Sequence, residues 1–510
     1  MEQRNFFFIP AFIVCICGLF PLVYLIAKAI DAEGAVLVEN LFRTRNARLF
    51  LNTVLLTIGV LILDILLATP AAWLTTHANL RGKRIFSVLC TLPLAIPGYV
   101  MAYALLGLGG NNGIFASLFG KSLPRLSGYW GALIALSFYT SPYLFLNLRS
   151  ALLGLDPNLE ESARSLGHKQ WSVFIRVILP QLRPAFYASG LLICLHVLGD
   201  FGVVSLMRFE TFSYALYVEY EIAFDGHNYA SWLALLLLAF TGCLLFLETR
   251  LLRSVVLHRA GHGVSRHRSP IPLGKWKSAG YTFLILLFIA TVVIPAITVF
   301  LWMFRAFEVS ALDGLLEALT GSVGIAVPSA ICCAILVVPF AYIGVRYSSR
   351  FSNMLARIPY VIYAIPPLAF ALAIILFLGS PQTILLLICA CILHFLAEAI
   401  GPVRSSLYQA SPNLEEAARS LGSSPVGAFF RAVFPLIIRG MLTSTALVFL
   451  ATMKELPLTL LLRPAEYETL AVNVWDYTGE AMFAQAAPYA FLILLFSALF
   501  VGLLIRKEDA

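Results

Sequence analysis

Long apolar runs recur along the whole chain, and short polar or basic segments separate them. A helix of about 20 apolar residues is long enough to cross the hydrocarbon core of a membrane. The pattern therefore predicts an all-α membrane protein with about twelve transmembrane helices, and an even number places both termini on one side. The predicted spans cover residues 6–29, 52–76, 86–108, 130–150, 185–207, 229–252, 279–304, 320–346, 355–378, 383–400, 440–463 and 487–506.

The composition excludes a water-soluble enzyme. Of the 510 residues, 60% are hydrophobic and only 12% are charged, whereas about a quarter of an average soluble domain is charged. The nine cysteines all lie inside apolar runs and form no CxxC pair. This placement is typical of small buried side chains and does not favour a disulfide framework or a metal centre.

The net charge of +8 is best explained by membrane topology. Lysine and arginine concentrate in the loops on the side of the two termini, and cytoplasmic loops retain such residues, so we expect both termini to be cytoplasmic. Residues 253–278 carry six basic side chains and no acidic one. This segment is predicted to be a cytoplasmic linker that lies against anionic lipid headgroups. A nucleic-acid partner is not expected.

One polar segment occurs twice. Residues 156–167 read DPNLEESARSLG, and residues 411–422 read SPNLEEAARSLG, 255 residues later. Each copy predicts a short helix with an N-terminal capping residue and proline at the first helical position. Gly167 and Gly422 end the two helices, because glycine accepts the left-handed conformation that follows a helix. A second short helix should follow, which makes each copy a cytoplasmic hairpin.

The duplication extends over two halves, residues 1–252 and 279–510. Six predicted spans in each half give parallel repeats, which a pseudo-twofold axis along the membrane normal would relate. Prolines in earlier spans repeat with an offset of 269, so the first half carries extra residues before its polar segment: Pro70 with Pro339 and Pro97 with Pro366.

The duplicated segments resemble the EAA loops of the permease subunits of binding-protein-dependent ABC importers. In that family an EAA sequence is followed by a glycine and then by an apolar residue pair before a proline. Ser162 replaces one alanine in the first copy, and Ala432 and Phe434 replace the apolar pair in the second. The matching residues are Glu161, Ala163 and Gly167, and Glu416, Ala418 and Gly422.

The resemblance implies that residues 156–183 and 411–439 are coupling loops, each docking on one of two copies of an ATP-binding subunit. The chain contains no Walker A sequence: the segment from Gly113 to Ser122 has six residues between its glycines instead of four. We therefore expect no enzymatic activity and no cofactor in this chain, with ATP and Mg²⁺ bound by the partner subunit.

Ionisable residues inside predicted spans are costly and indicate functional sites. The offset of 255 relates Asp200 to Glu455 and Arg208 to Arg463. In the family these helices line the translocation path, which implies that the two acids face each other there, with His196 as a further candidate. The alternative is that each acid pairs within its own half. The two arginines, at the outer ends, are candidates for docking a binding protein.

Other ionisable residues in the spans lack a repeat equivalent and are predicted to have a supporting role, although their partners are open. They are Asp64, His394 and Glu398, with Lys454 next to Glu455 in sequence. Two acids are too few for a stable iron site, so no resident metal is expected.

The sequences GDFGVVSLMRFETF, at residues 199–212, and MKELPLTLLLRP, at residues 453–464, resemble the iron(III) branch of the family, in which both halves are fused. This implies import of ferric iron, delivered by a periplasmic binding protein, through a bacterial inner membrane. Carboxylates suit a hard cation. Thiamine or another small cationic solute is the alternative cargo. A secondary transporter driven by an ion gradient would also have repeats and buried acids, but it has no use for paired EAA loops.

Overall fold

The computed structural model describes residues 2–30, 43–155, 157–222, 228–253, 271–308, 314–347, 349–379 and 382–508. Over these residues the backbone is almost entirely helical and forms no β-strand beyond two isolated bridges. Asp156, the predicted first cap, and residues 254–270 of the basic linker lie outside the described residues. The all-α class is confirmed.

The helices are numbered here in chain order. Those before the basic linker are α1 (Glu2–Ile30), α2 (Thr44–Thr76), α3 (Lys83–Thr91), α4 (Gly98–Leu108), α5 (Ile114–Phe119), α6 (Gly128–Gly154), α7 (Pro157–Ser165), α8 (Gln170–Val173), α9 (Leu179–Gln181), α10 (Arg183–Gly199), α11 (Gly202–Leu206), α12 (Phe212–Ile222) and α13 (Asn228–Arg253).

Those after the linker are α14 (Lys277–Phe288), α15 (Ile294–Glu308), α16 (Leu315–Arg346), α17 (Arg350–Ala364), α18 (Pro367–Leu378), α19 (Ile384–Gln409), α20 (Asn413–Ser420), α21 (Pro425–Ala428), α22 (Phe434–Met453), α23 (Pro457–Leu462), α24 (Leu470–Gly479) and α25 (Phe483–Glu508). Turns of π-helix join some of them, at Phe174–Ile178, Ile289–Val293 and Phe429–Val433.

By length and composition, eight helices in the described chain are candidate membrane spans, and eleven result if each sharply bent pair counts as one span. A shorter apolar helix, Phe483–Leu499, falls where the last span was expected. The chain is therefore a multi-pass membrane protein, while the number of twelve and the pseudo-twofold axis stay predictions.

Several expected spans are broken rather than continuous. The pair α3–α4 bends by 92° and the pair α17–α18 by 102°. Ile96 and Ile365 are extended at these bends because each precedes a proline, Pro97 or Pro366, whose ring disfavours helical geometry in the residue before it. The pattern of apolar residues does not register such breaks, since both sides of the bend are equally apolar.

Two further spans also differ from expectation. Residues 185–207 do not form one helix, because α10 ends at Gly199 and α11 begins at Gly202. Residues 440–463 are interrupted in the same way between Met453 and Pro457. An acid lies in each interruption: Asp200 and Glu455.

The chain divides into two compact units, named here by these acids. The Asp200 unit comprises Ala47–Tyr214, Ala239–Arg305 and Ser497–Ala510, and the Glu455 unit comprises Met1–Asn46, Ala215–Leu238 and Ala306–Phe496.

Each unit has its own helix packing. In the Asp200 unit, α6 packs against α10 and α4, and α14 packs against α3. In the Glu455 unit, α16, α19 and α22 pack together, and α1 packs against α16 and α18. Helix α1 therefore buries part of its apolar surface on helices from the second half of the sequence. The boundaries of the two sequence repeats differ from those of these units. The repeats reflect duplication of the sequence, whereas the units reflect packing of the helices.

Candidate functional site

The two EAA-like segments have the same local backbone. Gly167 has a φ of 84° and Gly422 a φ of 90°, as a glycine after a helix C-terminus requires. The amide of Gly167 donates to the carbonyl of Arg164 at 2.9 Å, and that of Gly422 donates to the carbonyl of Arg419 at the same distance. A side chain at either glycine would meet no atom within 4 Å. The requirement for glycine is thus conformational and not steric.

The continuation of each loop repeats as well. A short helix, α8 or α21, leads into a π-helical turn at Phe174–Ile178 or Phe429–Val433. These turns are 255 residues apart, and each lies just before a proline, Pro180 or Pro435. Proline has no amide hydrogen to donate, so a local shift in the hydrogen-bond ladder accommodates it. Each copy is therefore a helical hairpin that continues into the following helix.

The tip of each hairpin exposes an acid and a leucine. Glu161 and Glu416 are exposed, while Ala163 is buried and Ala418 is half-buried. Leu166 is 81% exposed and is matched by its repeat equivalent, Leu421.

These leucines are absent from the residues predicted from the sequence, although the signal was available. Leu421 is 88% exposed, and each leucine stands directly before the terminal glycine of an otherwise polar helix. Because both copies expose a leucine at the equivalent position, the two leucines are candidate contact residues.

The second hairpin is held by a buried polar contact. The hydroxyl of Tyr342 on α16 donates to Glu415 Oε2 at 2.6 Å. Arg346 lies 3.8 Å from the same carboxylate and donates to the carbonyl of Ala410 at 2.8 Å. Glu415 is therefore bound within this chain, and Glu416 is the acid of this pair that the hairpin presents outward.

An aromatic cluster supports the same hairpin. The ring of Phe7 on α1 stacks on Tyr342 with centroids 4.1 Å apart and meets Phe429 edge-on at 5.0 Å. Phe7 is 1% exposed. At the repeat-equivalent positions of Tyr342 and Arg346, using the offset of 269, the first half has Trp73 and His77, which stack on each other. The two hairpins share a backbone but have different supports.

The two acids at the helix interruptions have equivalent hydrogen bonds. The amide of Val203 donates to Asp200 Oδ1 at 2.8 Å, and the amide of Leu458 donates to Glu455 Oε1 at 3.0 Å. Each acid thus caps the short helix that follows it. A Cβ atom on Gly98 would lie 3.2 Å from Asp200 Oδ2, so this glycine permits close approach to the first interruption.

The predicted path histidine is bound to its own helix. His196 Nδ1 donates to the carbonyl of Leu192 at 2.9 Å. Its ring lies 4.7 Å from the ring of Tyr143 and 6.1 Å from that of Tyr139. Two tyrosines of α6 and this histidine therefore form an aromatic cluster one helical turn before Asp200.

The repeat-equivalent arginines differ. Arg208 is exposed, with a φ of 53°. Arg463 donates to the carbonyl of Tyr467 at 2.7 Å and lies 3.6 Å from Glu468 and 3.7 Å from Asp476. One candidate docking residue is therefore open to solvent, while the other is held by acids of its own unit.

Asp476 has an altered acidity. Burial raises the pKa of Asp476 to about 6; the cation of Arg463 opposes this, and the carboxylates of Glu468, Glu480 and Glu221 add to it. The ion pair with Arg463 consequently weakens below neutral pH.

The structure provides hydrogen-bond partners for two of the remaining ionisable residues of the spans, Asp64 and Glu398. Thr140 donates to Asp64 Oδ2 at 2.7 Å. Tyr363 donates to Glu398 Oε1 at 2.8 Å, and its ring lies 5.4 Å from that of His394. Among the described residues, no three His, Cys, Asp or Glu side chains are arranged to hold a metal ion.

Comparison with known protein families finds one family that matches the chain twice. The family model described as "Binding-protein-dependent transport system inner membrane component" matches residues 64–308 and again residues 330–506. The chain is 33% identical over 517 residues to the Fe(3+)-transport system permease protein FbpB 2 of Haemophilus influenzae, covering 99% of each protein.

Relatives named for other cargoes match shorter parts of the chain. The sulfate transport system permease protein CysT of Escherichia coli is 28% identical over 256 residues, which are 48% of this chain and 92% of that protein. The molybdenum transport system permease protein ModB of Escherichia coli is 32% identical over 157 residues, which are 30% of this chain and 69% of that protein.

Proposed function

Since the chain belongs to the inner membrane components of binding-protein-dependent transport systems, we propose that it is the fused permease of an ATP-driven importer for ferric iron. The observation that carries this proposal is the pair of equivalent hairpins, each with a capping glycine and an exposed leucine and glutamate. A transporter without ATP-binding partners has no use for two such surfaces.

Each hairpin would dock on one copy of an ATP-binding subunit. Leu166 and Leu421 would insert into apolar grooves, and Glu161 and Glu416 would pair with basic residues at the rim. Two equivalent hairpins call for two copies of the subunit, which supplies ATP and Mg²⁺ binding. This chain then contributes the path and the mechanical link, and the partner contributes the hydrolysis.

Ferric iron is the proposed cargo. The full-length similarity to a permease named for Fe(3+) transport supports it, as do the acids at the interruptions. A trivalent cation in a passage of low dielectric needs compensating negative charge, which Asp200 and Glu455 would supply. His196, one helical turn before Asp200, would assist at the first interruption.

Oxyanion transport is the competing candidate, because sulfate and molybdenum permeases are also related. The capping geometry argues against it. Helix N-termini attract anions, and at both interruptions a carboxylate of this chain already accepts a helix N-terminal amide. A second anion there would be repelled. Thiamine or another organic cation stays compatible with the same charges.

We place the chain in the bacterial inner membrane with both termini in the cytoplasm, and the arginines at the periplasmic side. Arg208 and Arg463 would then meet acidic residues on the two lobes of a periplasmic iron(III)-binding protein. Because Arg208 is exposed and Arg463 is paired, charge reversal at Arg208 should raise the binding-protein concentration needed to stimulate ATP hydrolysis more than reversal at Arg463.

Reconstitution tests the proposal. Proteoliposomes that contain the chain, the ATP-binding subunit and the iron-loaded binding protein should accumulate ferric iron only when ATP is present. Uptake driven by a proton or sodium gradient without the ATP-binding subunit would overturn the importer assignment. ATP-driven uptake of sulfate, molybdate or thiamine without iron would keep the importer and replace the cargo.

A further inference from the structure

A motif of four residues occurs twice outside the coupling loops. It reads FETF at residues 209–212 and YETL at residues 467–470, with an offset of 258. In each copy the last residue is the first residue of a short helix, Phe212 of α12 or Leu470 of α24. The motif follows the short helix that begins after each interruption, α11 or α23. Each copy therefore lies a few residues beyond one of the two interruptions.

Each copy is bound by a hydroxyl group of a long helix in the same unit. The amide of Phe212 donates to Thr53 Oγ1 of α2 at 3.3 Å, and the amide of Leu470 donates to Ser322 Oγ of α16 at 2.8 Å. Thr53 and Ser322 are 269 residues apart, which is the offset of the early spans. Both side chains are buried. Because the first amides of a helix have no partner within that helix, each hydroxyl supplies a partner that α12 or α24 lacks.

The residue before each hydroxyl contacts the same carbonyl group of the motif. Asn52 Nδ2 donates to the carbonyl oxygen of Glu210 at 2.9 Å. The equivalent position of α16 is Gly321, where an added Cβ atom would collide with the carbonyl oxygen of Glu468. Glycine thus admits in the second half the backbone that asparagine binds in the first. The two halves share the hydroxyl contact and the adjacent contact, although the side chains differ.

The segments held in this way contain the candidate docking arginines. Arg208 directly precedes the first motif, and Arg463 lies four residues before the second. In the first half, Ser213 Oγ donates to the carbonyl of Asp200 at 2.7 Å, which ties the segment back to the interruption. In the second half, Arg463 donates to the carbonyl of Tyr467 at 2.7 Å, and the hydroxyl of Tyr467 donates to a carbonyl of α16 at 2.8 Å. Each segment therefore joins an arginine to an interruption and is fixed at its far end.

We propose that Thr53 and Ser322 are positioning residues that hold these two segments in place for docking, and that the hydroxyl group is the feature both halves require. The inference rests on the proposed docking of a periplasmic binding protein at Arg208 and Arg463, and it names the residues that orient that surface. A partner that meets an arginine on a fixed segment does not have to order the segment first. Loss of a hydroxyl adds this ordering cost to docking.

Removal and interchange of the two hydroxyl residues test the proposal. Thr53→Val and Ser322→Ala abolish the acceptor, whereas Thr53→Ser and Ser322→Thr retain it in the form that the other half uses. Stimulation of ATP hydrolysis is measured in lipid nanodiscs that contain the chain and the ATP-binding subunit, with the iron-loaded binding protein added. In Thr53→Val and in Ser322→Ala, the concentration for half-maximal stimulation should rise by about fivefold or more, while the rate at saturation is retained. Thr53→Ser and Ser322→Thr should stay within about twofold of the wild type.

Thr57→Val and Ser329→Ala are matched controls on the same two helices. Thr57 is buried and donates to the carbonyl of Thr53, within its own helix, at 2.7 Å. Ser329 is buried, and within the described part of the chain its hydroxyl has no hydrogen-bond partner. Both substitutions remove a buried hydroxyl without touching the repeated motif, so they should leave the stimulation curve unchanged.

Two outcomes would overturn the inference. One is an unchanged stimulation curve in Thr53→Val and Ser322→Ala, with or without a lower melting temperature, which would make the contacts purely structural. The other is an equal loss in Thr53→Ser and Ser322→Thr, which would assign the role to side-chain packing and not to the hydroxyl. Each half provides its own variants, so if one variant fails to fold, the other half decides.

Hydrogen exchange distinguishes these failures from failure of the proposed function. In Thr53→Val and Ser322→Ala, the peptides that begin α12 and α24 should exchange faster than in the wild type, with no binding protein present. Unchanged exchange would contradict the contacts themselves. If exchange responds as expected but the binding protein does not stimulate even the wild type, the proposed docking partner is wrong, and the positioning role is overturned with it.

Discussion

The interruptions at Asp200 and at Glu455 keep the same backbone arrangement in different surroundings. Each acid accepts an amide from the third residue after it and caps a short helix. The rings of Tyr143 and His196 pack together one helical turn before Asp200, whereas Lys454 stands directly before Glu455. The duplicated chain thus keeps one break capped by an acid in each half, with different side chains next to it.

The two hairpins show the same relation. Both turn at a glycine with positive φ and both expose a leucine, but the second is bound to α16 through Tyr342 and Glu415. Equivalent outer surfaces and different inner supports indicate that the surface, not the support, carries the shared function.

Removing the charges of both acids at the helix interruptions should have the largest effect. In Asp200→Asn with Glu455→Gln, the new amide oxygens can still accept from Val203 and Leu458, so the caps persist while the charges disappear. We expect ferric iron uptake to fall by about a hundredfold or more, with melting temperature and basal ATP hydrolysis retained. Uptake at the wild-type rate would show that the two acids cap helices and have no role in transport. Loss of uptake, thermal stability and basal ATP hydrolysis together would favour a structural role.

Altering either hairpin turn should have the next largest effect. Gly167→Pro or Gly422→Pro forces φ to about −65° where the structure requires 84° or 90°. Each single change should lower ATP-driven uptake to about a tenth or less and weaken association with the ATP-binding subunit. Glu161→Lys and Glu416→Lys should act in the same direction.

Gly154→Ala is the matched control for the turn variants. Gly154 is the last residue of α6, has no positive φ, and has open space at its Cβ position. Its substitution should leave uptake unchanged. If uptake tolerated proline at one of the two glycines and not at the other, the two loops would not be equivalent.

The different supports predict a smaller, one-sided effect. Tyr342→Phe removes the donor to the buried carboxylate of Glu415, which should lower the free energy of unfolding by about 1 to 3 kcal/mol. Limited proteolysis should then increase within residues 411–439 and stay constant within residues 156–183. Glu415→Gln, which can still accept from Tyr342, should be milder. Equal proteolysis of both loops would contradict a support confined to the second hairpin.

The smallest effect concerns the pH dependence of the ion pair between Arg463 and Asp476. The pKa of Asp476 in the folded protein is about 6, above its ordinary value of about 3.9. The folded protein therefore binds the proton more tightly than the unfolded chain, so this group's contribution to stability grows as pH falls from 6 to 4 and is lost as pH rises through 6. Because Asp476 is partly exposed, solvent screening keeps the contribution small.

Melting curves of Asp476→Asn and of the wild type between about pH 4 and pH 8 measure this contribution. The wild type should gain stability relative to the variant as the pH is lowered through about 6. If the wild type instead lost stability relative to the variant as the pH was lowered, the raised pKa of Asp476 would be contradicted. Arg208, for which the described part of the chain provides no comparable ion pair, should show no corresponding dependence on pH in the stimulation of ATP hydrolysis.

The sequence predicts the membrane class and the two hairpins because their signals are local. Apolar runs indicate spans. A proline followed by a glycine ten residues later, as in Pro157 and Gly167, indicates a short capped helix. The interruptions at Asp200 and Glu455 are not predicted, because each acid lies within a long and mostly apolar stretch that the hydropathy pattern assigns to one span. At Glu455 the neighbouring Lys454 and Pro457 are a local signal of the break.

Long-range partners are hidden for a related reason. Tyr342 and Glu415 are separated by 73 residues, and Tyr363 and Glu398 lie on different helices, so no periodicity connects them. The sequence assigns all four EAA-loop glutamates the same kind of position, yet the fold buries Glu415 and exposes Glu416. Packing of α20 against the rest of its unit makes that distinction, and packing is not encoded in a local pattern.

The number of ATP-binding subunits bound by one chain is the decisive measurement for the two coupling surfaces. Native mass spectrometry of the detergent-solubilised complex should find two ATP-binding subunits on each intact chain. Leu166→Asp and Leu421→Asp should each reduce this number to one, and the double variant should bind none. One subunit on the intact chain, or two on the double variant, would contradict the proposal that this polypeptide presents two equivalent coupling surfaces.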